Sequence, residues 1–105
     1  MRVSFSTVMA AGLVVWLGAA SNPVLAQDAR YLAGNCANCH GTDGQAAGGA
    51  VSGLAGLSRT YFIAQMNAFR SGARQASIMH QIVKGYSEDQ VSRLADYFAQ
   101  IKPSR

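Results

Sequence analysis

Both cysteines of this chain sit in five residues, CANCH, from Cys36 to His40, and a histidine follows the second directly. A bridge across two intervening residues would close a tiny loop and restrain little of the unfolded chain, so as a staple the pair is poor. The pattern C-x-x-C-H is instead the attachment signature of a c-type haem. Two thiols at this spacing near a helix end reach the vinyl groups along one edge of a porphyrin, and the next residue's imidazole is placed under the metal. Cys36 and Cys39 are therefore expected to hold the ring covalently. His40 is expected to be the proximal ligand through Nε2, its other nitrogen donating to a backbone carbonyl. A structural zinc site would need four ligands, and only His80 is available to join the cluster. A thioredoxin-like pair would need a βαβ setting that the sequence does not offer.

The rest of the chain explains why such an anchor is needed. The first 26 of 105 residues read as a secretory signal peptide: Arg2 precedes an apolar run from Val8 to Ala20, and Val-Leu-Ala supplies a small-residue cleavage site after Ala26. The run is shorter than the roughly 20 apolar residues of a spanning helix. An exported protein, placed in the periplasm and not embedded in the membrane after cleavage, is the expectation. Residues 27–105 then form one small domain whose apolar core needs supplementing. Net charge is +4, to which Arg2 contributes one, and the basic residues are spread out with no aromatic-basic stripe, which argues against a nucleic-acid partner. A modestly basic face for an acidic protein partner is the milder inference.

Apolar spacing places a first helix from Asp28 as N-cap, carrying Ala29, Leu32, Ala33 and Cys36 on one face. The run GTDGQAAGGAVSGLAG, Gly41 to Gly56, has neither a helical stripe nor strand alternation and reads as a long loop wrapped around something. A second helix is predicted from Ser58 or Thr60 to Ser71, stopped by Gly72, and SIMHQIVKG is a short helix ended by Gly85. Ser87-Glu88-Asp89-Gln90 forms a capping box for a last helix with Val91, Leu94, Ala95 and Phe98 at i, i+3, i+4, i+7. No segment has a strand pattern, so the fold class is all-α.

A second axial ligand would decide between electron transfer and an open position that binds small molecules. The mature chain offers Met66, Met79 and His80. Met66 lies inside an amphipathic helix, where methionine usually fills core. His80 points away from its neighbour and reads as a rim histidine. Met79, in a short segment between glycines and far enough along the chain, is the preferred ligand. Arg70 and Arg74 flank the turn before it. Each is either solvated or paired with a haem propionate, with Arg70 favoured because it follows Phe69. Tyr61 and Gln65 are secondary donors; Lys84 and Arg93 read as surface residues within reach of a partner.

CANCHGTDG, then YFIAQMNAFRSG, then IMHQIVKGYSEDQVSRLADYF, resembles the small bacterial class I cytochromes c, and most of all the haem subunit of flavocytochrome c sulfide dehydrogenase. The resemblance implies a class I cytochrome c fold wrapped around one covalent haem c. It implies Met79 as the distal ligand and crossed first and last helices, with Leu32 and Ala33 near Leu94, Tyr97 and Phe98. Relatives commonly read GPAxPSLAG where this chain reads GGAVSGLAG, so Gly49 and Ser52 stand at proline positions. The carbonyl at the first of these, Gly49, is expected to accept the His40 hydrogen bond, with a looser proximal side because proline's fixed φ is missing. The implied partner is an FAD-bearing sulfide-oxidising chain, since this one has no nucleotide-binding glycine fingerprint after a strand. The alternative is a free, diffusible carrier between respiratory complexes.

Overall fold

The computed structural model describes residues 23–46 and 48–104, and side chains from residue 28 onward within them. Positions 1–22 of the expected signal segment lie outside the described residues. Among the described residues four α-helices follow one another: α1 Pro23–His40, α2 Arg59–Ser71, α3 Met79–Ile82 and α4 Glu88–Ala99. A 3₁₀ turn, Thr42–Gly44, follows α1, and a second, Val83–Gly85, extends α3. There is no strand among the described residues.

Local chemistry sets most of the ends. The Ser58 hydroxyl accepts from the Tyr61 amide to start α2, and Gly72 ends it at φ 83°, a left-handed conformation that costs glycine nothing. At α4 the Ser87 hydroxyl accepts from the Gln90 amide, and the Gln90 side chain returns to the Ser87 amide. The first helix departs from expectation. Among the described residues it already runs from Pro23, upstream of Asp28. Asp28 then sits inside the helix, and its carboxylate accepts from Arg93 of α4 at 2.5 Å instead of capping.

The buried side chains come from all the longer helices: Ala29 and Ala33 of α1, Phe62 and Met66 of α2, and Val91, Leu94, Ala95 and Phe98 of α4, with Val83 from the turn after α3. Phe62 and Phe98 stack with ring centroids 5.6 Å apart, joining α2 to α4. Leu32 and Tyr97 pack on the same cluster, so α1 and α4 meet where the resemblance places them. Of the described large side chains, only Phe98, Leu94 and Val83 are almost wholly removed from water. So thin a core leaves room for something else to complete it.

The glycine-rich loop is tied down at its root. Leu54 and Ala55 both donate their amides to the Gly44 carbonyl, at 2.8 and 3.2 Å, and the Gly56 amide donates to the Phe98 carbonyl at 2.9 Å. At the chain end, the Gln45 side chain donates to the Lys102 carbonyl and accepts from Ser104. The loop is thereby tied to the end of α4 and the residues that follow it.

Candidate haem site

Cys36 and Cys39 occupy the last turn of α1 at i, i+3, so one helix face presents both. Neither is in a disulfide. Cys36 is half-buried, and that burial pushes its thiol above the usual cysteine range, with its backbone hydrogen bond acting the other way; Cys39 is exposed. His40 ends the helix. Its Nδ1 lies 2.6 Å from the Ser52 carbonyl oxygen, and because a carbonyl only accepts, Nδ1 carries the proton. Nε2 then keeps its lone pair for a metal.

The acceptor is therefore Ser52, not Gly49. Ser52 stands two residues before Leu54, where the loop is pinned to Gly44, whereas Gly49 is exposed at φ 99° with open space around its α-carbon. Of the two positions where the resemblance leads one to expect proline, it is the second that meets the histidine.

Beside these residues is a cavity of about 580 Å³, within the usual size range of cofactor sites. Cys36, Cys39 and His40 line it, and so do Met79 and Met66. Met66 is buried in the middle of α2, while Met79 is half-buried at the first position of α3. His80 does not line the cavity; its Nδ1 is buried with no hydrogen-bond partner. Val51, Tyr61, Ile78 and Ile82, four of the large apolar side chains left most exposed, all border the same opening. An apolar slot with two thiols, an imidazole and two thioethers on its walls has the donors that a haem c would use, and the exposed rim is surface that a porphyrin would cover. Among the described residues no three His, Cys, Asp or Glu side chains stand together as a metal-ligand set.

The two arginines part company. Arg74 lines the cavity, donates from Nη1 to the Gln65 side chain and lies 4.7 Å from the centre of the Phe69 ring. Arg70 does not line it. Its Nη2 donates to the carbonyls of Tyr86 and Val83, at 2.9 and 3.3 Å. The sequence preference for Arg70 as the haem-facing arginine thus meets a side chain already committed to the backbone. Nothing local in the sequence marks that commitment, because its partners lie 13 and 16 residues further on.

Residues 28–102 match the cytochrome c family. The chain belongs to it. The cytochrome is 30% identical over 82 residues to the "Cytochrome subunit of sulfide dehydrogenase" of Chlorobaculum tepidum, covering 78% of this chain and 74% of that one. It is 35% identical over 69 residues to "Cytochrome c-554(548)" of Halomonas halodenitrificans, covering 63% of this chain and 83% of the relative. With the "Thiosulfate dehydrogenase electron acceptor" of Stutzerimonas stutzeri it shares 39% identity over 69 residues, 63% of this chain, but spans only 32% of that protein's length. It is thus an all-α class I c-type cytochrome, an electron carrier with one covalently bound haem c. No helix among the described residues is long and apolar enough to cross a membrane.

Proposed function

We propose that this cytochrome is exported to the periplasm, holds its haem by thioethers from Cys36 and Cys39 with His40 and Met79 as axial ligands, and accepts electrons from a sulfide-oxidising flavoprotein. The observation that carries the site reading is the His40 hydrogen bond to Ser52, which orients Nε2 as a ligand on a cavity that both cysteines and Met79 also line. Bound there, the haem supplies a one-electron iron couple, whose potential a thioether ligand raises. The chain's own residues do the rest. The Ser52 carbonyl holds the imidazole tautomer, while the cysteines would hold the ring at the end of α1. Arg74, the charged side chain on the cavity wall, is the better candidate to grip a propionate, with Gln65 steadying it.

The partner reading rests on the relatives. Two carry names that speak of sulfide and of thiosulfate dehydrogenases, and the sulfide relative matches across most of its length. A donor that oxidises reduced inorganic sulfur fits both, and a flavin-bearing chain fits the first. The second reading, a diffusible carrier, is favoured by the match to the Halomonas cytochrome, whose name mentions no enzyme.

Export adds one constraint. The proposed cleavage after Ala26 falls within the span of α1. Asp28 would then lie next to the new amino terminus, held to α4 by Arg93. Purification of the tagged protein from its periplasm at moderate salt, with flavin and haem absorbance followed through gel filtration, tests the partner. Co-elution with a flavoprotein near one-to-one supports the subunit; a red peak alone at monomer size contradicts it and leaves the diffusible carrier.

A further inference from the structure

Arg70 is half-buried and has no carboxylate partner among the described ion pairs. It spends its charge on two main-chain oxygens, those of Val83 and Tyr86, which bracket the turn between α3 and α4. Val83 is wholly buried and follows Met79 by four residues, one helical turn, so the two share a face. Whatever fixes the rotation of this turn therefore fixes where Met79 stands at the cavity. Apart from the burial of Val83 and the packing of Met79 and Tyr86 on the core, the segment has little local support. α3 is a single turn, its N-cap Ile78 makes no side-chain capping bond, and its outward residues are exposed. A turn this short does not hold its own shape in water.

We propose that Arg70 is a positioning residue for the sixth-ligand segment: by cross-tying α2 to the carbonyls of Val83 and Tyr86, it holds α3 in the rotation that presents Met79 to the cavity. This rests on the reading of Met79 as ligand. Charge-assisted hydrogen bonds to carbonyls are stronger than neutral ones, and only a guanidinium offers several donors in one fixed plane. Lysine at this position keeps the charge but loses that plane, and glutamine loses the charge as well.

The test uses holo-protein with covalent haem and titrates the ferric form with imidazole, a probe that competes with Met79 for the sixth position. Arg70→Gln is expected to raise imidazole affinity by about tenfold or more, with Arg70→Lys between it and the unaltered protein. The covalent attachment should stay intact. Loss of thermal stability with imidazole affinity unchanged within about twofold would overturn the proposal, since a merely structural contact predicts that pattern. Met79→Ala in the same titration separates the two claims: if it leaves the affinity unchanged, the ligand reading fails and the proposal with it, whereas a large change there with none in Arg70→Gln overturns the proposal alone. Should the Arg70 variants fail to fold, the unaltered protein still decides. Displacing Met79 with imidazole should shift or broaden the Arg70 guanidinium signal in nitrogen-15 NMR and leave Arg59 unmoved; an unmoved Arg70 signal overturns the proposal.

Discussion

A methyl group on Gly44 would stand 2.8 Å from Leu54 Cβ and 2.9 Å from both the Ala55 nitrogen and Phe98 Cε1, at a φ of 72° that side chains rarely adopt. Gly44→Ala should therefore cost about 2–4 kcal/mol, combining overpacking with left-handed strain, and denaturant unfolding of the holo-protein would show it. Gly34 is the contrast. It lies in α1 with nothing within 4 Å of an added Cβ, so Gly34→Ala should stabilise by about 0.5–1 kcal/mol in the same assay. Tyr97 donates to Asp43 at 2.9 Å, and burial first, then that carboxylate, raise its hydroxyl above the usual tyrosine range. A raised folded pKa means stability that is complete below the unfolded value of about 10 and is lost as pH climbs through the folded one. Melting temperature should accordingly fall more steeply above that pH in the unaltered protein than in Tyr97→Phe; parallel curves would show that the phenol does not contribute.

At the scale of elements, α4 is the most legible part of the chain, because its capping box and its apolar spacing are both local signals. Ser87→Ala removes one half of the box and should cost about 1 kcal/mol in unfolding free energy. α2 is legible for the same reason, from its serine cap to its glycine stop. The start of α1 is not. Asp28 has the chemistry of a cap, yet it pairs with Arg93, 65 residues away, and no pattern near Asp28 announces that. The loop shows the same limit. Its glycines mark an irregular path, but which carbonyl meets His40 depends on how the path is pinned at Gly44 and Phe98. Local spacing names candidate residues for the site; contacts distant in sequence decide which atom of the loop turns inward.

Across the whole molecule, the few fully buried side chains and the apolar rim of the cavity belong to one physical problem: helices that cannot bury enough surface among themselves are completed by a covalent cofactor. Replacing Cys36 and Cys39 together with Ala should abolish covalent haem and cooperative unfolding alike, and a variant that melts sharply without haem would contradict this. CANCH makes the cofactor legible in the bare sequence, because two thiols and an imidazole at that spacing have few other uses. The distal side is less so, since Met66 and Met79 both line the cavity and differ mainly in how firmly the core claims them. The most direct test of the axial pair is proton NMR of the reduced holo-protein. A methyl group on the axis of an aromatic macrocycle is strongly shielded, so one methionine methyl, assigned by its loss in Met79→Ala, should lie far upfield of all ordinary methyls. A shielded methyl that persists in Met79→Ala and belongs to Met66, or no shielded methionine methyl at all, would contradict the account.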